Sequence, residues 1–223
     1  MGEGHVIMII VVHVNDIFAV GRKERCDKVG RDLNEMVPVK NLGELRWYSV
    51  CFCERDVEGG VLKISQQRFA EELAAEYGVE WGQSVPLSFS VKPSDFDVNE
   101  ASADVPFREM VGSLIWLATQ AGPDNANAVR AEARYCASPK MVHWKAALGI
   151  LGYVRRTSWM GITFERGVVT GMSMQVFVDA DYASKAADRR SVSRGLVMCV
   201  WRLMLPDASM PCIPVFEDNQ GAI

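Results

Sequence analysis

The apolar residues at 6–12 are mostly β-branched, and a polar break at 13–16 separates them from a second apolar run, 17–20, closed by Gly21. Two short β-branched runs around a polar tip predict a β-hairpin. Its tip holds Asn15 and Asp16 at the end of a sheet, where a carboxylate can reach a metal or a phosphate. The same pair also suits a plain turn. Residues 22–36 then repeat Cys26, Val29, Leu33 and Met36 at three- and four-residue steps, a helical pattern that Pro38 stops. One strand is expected up to Arg55, a turn at 56–60 and a return strand at 61–64. A helix follows with Phe69, Leu73 and Tyr77 on one face.

The pattern changes after residue 82. Residues 83–105 are rich in Ser, Pro and Asp and read as a linker or long loop. Pro106 opens a helix that carries Phe107, Val111, Leu114 and Ala118 on one side. A second helix passes through Ala128 to about Tyr135, and Pro139 ends it. A third spans about 141–154, with Met141, Trp144, Leu148, Leu151 and Val154 apolar and Lys145, Arg155 and Arg156 near its polar side or end. Strands are expected at 162–164, 174–178 and 196–201.

Composition narrows the class. The chain has 223 residues, 49% of them apolar and 23% charged, enough for one large or two small domains. No apolar run approaches a membrane span, residues 6–12 lack a basic leader, and Val6 stands where myristoylation wants Ser or Thr. An intracellular protein without a membrane partner is the expectation. The six cysteines, at 26, 51, 53, 136, 199 and 212, form no Cys-X-X-Cys pair. Cys51 and Cys53 alternate onto one strand face, and buried thiols fit them better than zinc. Net charge is −4, against strong nucleic-acid binding, but it is uneven. Residues 1–100 carry 11 basic and 17 acidic side chains, residues 101–170 carry 8 and 5, and residues 171–223 carry 5 and 6. Only the middle segment has the sign that a phosphate backbone prefers.

Several stretches carry a family resemblance in one order. His13-Val14-Asn15-Asp16 resembles the Tyr-X-Asp-Asp box of reverse transcriptases, in the version of copia-type retrotransposon polyproteins. Asn41-Leu42-Gly43-Glu44-Leu45 and 62–69, Leu-Lys-Ile-Ser-Gln-Gln-Arg-Phe, are similar to the segment after that box, where a hairpin helps seat the primer. Ser49-Val50 stands where the family usually has Leu-Gly. Residues 107–118, Phe-Arg-Glu-Met-Val-Gly-Ser-Leu-Ile-Trp-Leu-Ala, resemble the family's Tyr-Arg-X-X-Val-Gly-Ser-Leu-X-Tyr-Leu-Ala. Pro123-Asp124, Ala128-Val129, Pro139, His143-Trp144, Tyr153-Val154 and Thr157 follow in register. Gly122 and Asn125 replace an arginine and an isoleucine usual there. Residues 174–183 resemble the start of the ribonuclease H domain, and 216–223 another part of it.

The resemblance implies a mixed α/β chain in three segments. Residues 1–92 would be the C-terminal part of a reverse-transcriptase palm, an antiparallel sheet plus helices. Residues 93–170 would be a helical thumb or connection, and 171–223 a truncated ribonuclease H-like end. The implied activity is RNA-directed DNA polymerisation with Mg2+ and an RNA or DNA template-primer. The implied metal ligands are Asp16 in the palm, and Asp179 and Asp218 in the ribonuclease H remnant. Other polyprotein segments are implied partners, in a cytoplasmic particle or the nucleus.

Two-metal chemistry needs hard oxygen ligands at close spacing. Asn15 stands at the family's first catalytic aspartate, and an amide oxygen is a poorer Mg2+ ligand. Losing about 4 kcal/mol of transition-state stabilisation would slow the reaction roughly a thousandfold. The family's earlier aspartate is expected before Met1, and its ribonuclease H glutamate has no counterpart between Arg202 and Val215. Asp179 after an apolar strand also suits a strand end. Lys145, Arg155 and Arg156 would bind nucleic acid, although arginines at a helix end also suit its dipole. His143 reads as a packed or capping residue. Two functions follow: a reverse transcriptase by descent, inactive in this chain, or a non-enzymatic remnant that binds only nucleic acid or a related polyprotein.

Overall fold

The computed structural model describes residues 7–14, 16–48, 50–87, 96–97, 99–165, 173–181, 192–200 and 214–218. Asn15, Ser49 and the 219–223 end of the ribonuclease H-like match lie outside them. The chain is mixed α/β, with antiparallel strand pairs and five α-helices among the described residues. It forms two compact units. One comprises Met1–Glu44, Asp56–Val61 and Phe164–Ile223, and the other Leu45–Arg55 and Leu62–Thr163. They cut across the 1–92, 93–170 and 171–223 segments read from the sequence, because strands distant in the chain pair with earlier ones.

The first unit opens with the expected hairpin. Strands β1 (Met8–His13) and β2 (Asp16–Gly21) pair antiparallel from Met8↔Gly21 to His13↔Asp16. Helix α1 (Lys23–Met36) ends where the sequence places its stop. Val37, before Pro38, is extended at φ −137 and ψ 131, as the proline ring requires. The contact face is narrower than the periodicity suggests: Cys26 and Gly30 are buried, but Met36 is exposed. Cys26 and Ala19 form a small core, against which Met8 and Ile17 pack. Strand β3 (Val39–Glu44) follows.

In the second unit, the single strand expected up to Arg55 is two: β4 (Trp47–Tyr48) and β5 (Cys51–Asp56), paired antiparallel. Tyr48 faces Cys51 across a two-residue turn, and Val50 takes φ +61, the left-handed region that glycine favours. The family that this segment resembles usually has glycine at that position. Cys51 and Cys53 are both buried, as alternation predicts, and burial raises both thiol pKa values. Strands β6 (Val61–Ser65) and β7 (Gly161–Glu165) complete a sheet of order β4-β5-β6-β7.

Helices α2 (Gln67–Glu76), α3 (Phe107–Gln120), α4 (Ala126–Ala133) and α5 (Met141–Arg156) enclose the larger core. A 3-10 turn at Pro123–Asn125 leads into α4. Phe107, Met110, Leu114, Ile150 and Leu151 are fully buried there. On α5 the buried face is rotated from the expected one. Ala147, Ile150 and Val154 face inward, while Met141 is exposed and Trp144 and Leu148 are only partly covered. His143 caps and packs: its Nδ1 accepts the Lys140 N–H at 2.8 Å, and its ring stacks on Tyr135 at 3.9 Å.

Three strands late in the chain belong to the first unit. Strands β8 (Ser173–Asp181) and β9 (Val192–Val200) form a two-stranded antiparallel sheet. Strand β10 (Pro214–Asp218) lies between β2 and β3, antiparallel to both, giving the order β1-β2-β10-β3.

Candidate functional site

The hairpin tip is the first candidate. His13↔Asp16 is the last pair before the tip, and Val14 is the described residue of the loop between them. Two-residue hairpin loops need positive φ, which Asn and Gly accept and β-branched residues resist. Val14 nonetheless takes φ +53 and stands 83% exposed. Asp16 is half-buried at the start of β2. The described residues offer one carboxylate at this tip, and among them no group of three His, Cys, Asp or Glu side chains could hold a metal. A two-metal centre needs more oxygen ligands than that, so the described donor set does not fit the Mg2+ pair that the resemblance implies.

Strand register brings some of the predicted acids together and separates others. Glu217 lies opposite both Asp16 on β2 and Lys40 on β3, so His13, Asp16, Glu217 and Lys40 occupy one cross-strand row. Asp218 is next in β10, opposite Val39. Asp16 and Asp218 therefore share a sheet. Asp179 belongs to the two-stranded β8–β9 sheet, opposite Arg194. The row was invisible in the sequence, because it depends on pairing across some 200 residues of chain.

The basic residues of α5 make a second candidate in the other unit. A helix turns 100° per residue, so Lys145, Gly149, Gly152 and Arg156 fall on one stripe. Lys145 and Arg156 are exposed. Between them the chain at 81–83 lies on the glycines: a Cβ on Gly152 would sit 2.6 Å from the Trp81 ring, and one on Gly149 would meet the Gln83 amide at 2.9 Å. Trp81 remains 47% exposed. An aromatic face between two cations suits a nucleic-acid strand, which offers bases to stack and phosphates to neutralise. Sequence reasoning missed Trp81, although the Gly-X-X-Gly spacing on α5 was the available signal. Arg155 acts differently. Its guanidinium donates to the Glu80 carbonyl at 2.7 Å and ties the segment before Trp81 to the helix.

Buried polar side chains were also missed. Glu132 is fully buried on α4, and neither carboxylate oxygen has a hydrogen-bond partner. Burial pushes its pKa up to about 7, and the nearby Arg134 charge opposes this only in part. Gln66 and Asn125 are buried too, with unpartnered amide atoms.

The chain matches no protein-family model and no solved structure. It does match curated proteins. It is 26% identical over 193 residues to the retrovirus-related Pol polyprotein from transposon TNT 1-94 of Nicotiana tabacum, covering 82% of this chain and 14% of that protein. It is 22% identical over 184 residues to the putative transposon Ty5-1 protein YCL074W of Saccharomyces cerevisiae, covering 78% and 57% respectively. The chain is related to retrotransposon polyproteins. The chain also matches the secreted RxLR effector protein 161 of Plasmopara viticola, at 33% identity over 91 residues, which is 40% of this chain and 62% of that one. It spans less than two thirds of the length of each. Among the described residues no helix is long and apolar enough to cross a membrane.

Proposed function

We propose that this chain is a copia-type reverse-transcriptase segment, the later part of the palm with the helical region after it, which binds nucleic acid and does not polymerise. The observation that carries the reading is the hairpin tip. It keeps Asp16 at the start of β2, directly after the tip, but it presents one described carboxylate. Mg2+ held there would have too few oxygen ligands for nucleotidyl transfer. Asp179 and Asp218 are the remnant of a ribonuclease H cluster in this reading, and their separate sheets speak against a joint metal site. Binding of a template-primer falls to Lys145 and Arg156 on α5 and to Trp81, which packs on that helix. Other segments of the polyprotein are the second class of partner, in an intracellular particle or the nucleus.

Primer extension on an RNA template tests the reading, comparing the native chain with Asp16→Ala and Asn15→Asp. No extension by the native chain is expected, with salt-sensitive binding of the template-primer in a filter assay. Lys145→Ala and Arg156→Ala should each weaken that binding and flatten its salt dependence. Template-dependent extension that Asp16→Ala abolishes would instead establish a working polymerase. Extension by Asn15→Asp alone would locate the lesion at the loop.

A further inference from the structure

A half-open cleft of about 30 Å³ lies within the helical unit, lined among others by Gln66, Leu117, Asp124, Asn125 and Val154. Gln66 and Asn125 are each 3% exposed. Both amide atoms of Gln66 and the Oδ1 of Asn125 are buried without a hydrogen-bond partner. Leaving such a group unsatisfied costs about 1–3 kcal/mol, so three at one cleft mark a place where something binds.

The chemistry of the lining selects the occupant. No Lys, Arg or His lines the cleft, which excludes a site built for an anion. Thr157 spends its hydroxyl proton on the Tyr153 carbonyl, and Ser158 donates to Glu71, so both present only lone pairs to the cleft. Asp124 accepts a hydrogen bond from the Tyr153 hydroxyl and has no cationic partner among the described residues. Burial first, then the Asp124 carboxylate, pushes the Tyr153 pKa up to about 12, so the phenol stays neutral and leaves the Asp124 charge uncompensated. The cleft thus sets the acceptors Gln66 Oε1, Asn125 Oδ1 and the Asp124 carboxylate against one orphaned donor, Gln66 Nε2, with apolar surface from Leu117, Val154 and Met160. We propose that it binds a guanidinium group. That cation is planar, carries five N–H donors and is weakly hydrated on its faces, which suits oxygens at the rim and hydrocarbon on the walls. The volume holds about two waters, or two guanidinium nitrogens with the rest of the group at the mouth.

The test is a titration followed by the side-chain amide resonances of Gln66 and Asn125. The probes are N-acetyl-arginine methylamide, methylguanidine and N-acetyl-lysine methylamide. Saturable shifts of both amides by the two guanidinium probes, with none from the lysine probe, are expected. Tighter binding of the arginine amide would identify an arginine side chain of a partner as the source, and tighter binding of methylguanidine a free guanidino compound. Asp124→Asn keeps an acceptor for Tyr153 and should weaken binding by about tenfold or more. Gln66→Met should do the same while keeping the fold, because it replaces an unsatisfied amide by an apolar group of similar shape. No saturation, equal response to lysine, or affinities unchanged in Asp124→Asn would overturn the proposal and leave a cleft that holds water only.

Discussion

The two units solve the problem of burial differently. In the helical unit, Phe107, Met110, Leu114, Ile150 and Leu151 come from two helices and are fully enclosed. In the strand unit, the described buried apolar residues are Phe18, Ala19 and Cys26, while Ile10, Val11 and Val12 on β1 stay 46%, 49% and 66% exposed. An amphipathic helix buries its stripe against neighbours a few turns away, but a strand at the edge of a sheet needs a covering layer on each apolar face. Among the described residues, β1 has a neighbouring strand on one side only. The lesson is that apolar content predicts burial only where the topology supplies something to bury against.

That contrast can be broken by truncation. Leu114→Ala should cost about 2–5 kcal/mol in urea denaturation, because it leaves a cavity in an enclosed core. Val12→Ala should cost less than about 0.5 kcal/mol, because its side chain is largely in water already. Equal losses at the two sites would erase the distinction between the units.

The next largest effect is a pH dependence confined to the helical unit. The Glu132 pKa is raised from 4.5 to about 7, so the native state holds its proton more tightly than the unfolded chain does. Its contribution is therefore fully present below about pH 4.5 and is lost as pH rises through about 7. The loss should approach about 3 kcal/mol between pH 4.5 and 8. Urea midpoints should show it, and Glu132→Gln should remove most of it. A slope that survives in Glu132→Gln would assign the effect to another group.

A smaller and opposite effect should appear in both units. Val14 and Val50 each hold a β-branched residue at positive φ in a two-residue turn. Glycine relieves that strain, and Val14→Gly and Val50→Gly should each stabilise by about 1 kcal/mol. Thermal melts of the single variants would check it, and destabilisation by either would mean that the turn side chain makes a contact worth more than the strain. The smallest change in stability, within about 0.5 kcal/mol, is expected for Val11→Lys. It should nevertheless lower light scattering at high protein concentration, because a charge on an edge strand opposes edge-to-edge pairing.

Local patterns carried much of the fold. The β1–β2 hairpin, the stop of α1 at Pro38 and the start of α3 after Pro106 were all readable, because each depends on residues within a few positions. The break between β4 and β5 was not, since Val50 adopts a conformation against its own preference. Nor was β10, whose partners lie some 200 residues upstream. At the candidate sites the sequence supplied Asp16 and the basic residues of α5. It concealed Trp81, whose place depends on Gly152, and the amides of Gln66 and Asn125, which a polar reading puts in water. The replacement of isoleucine at Asn125 was the one visible hint.

The buried thiols give the molecule two internal clocks. Cys26 closes the small core under β2, and Cys51 and Cys53 lie on the hidden face of β5, all as free thiols. A thiol reagent reaches each only when its surroundings open, and raised pKa values slow the reaction further. Peptide mapping after timed alkylation would therefore read the opening rate of each unit separately in one undivided chain.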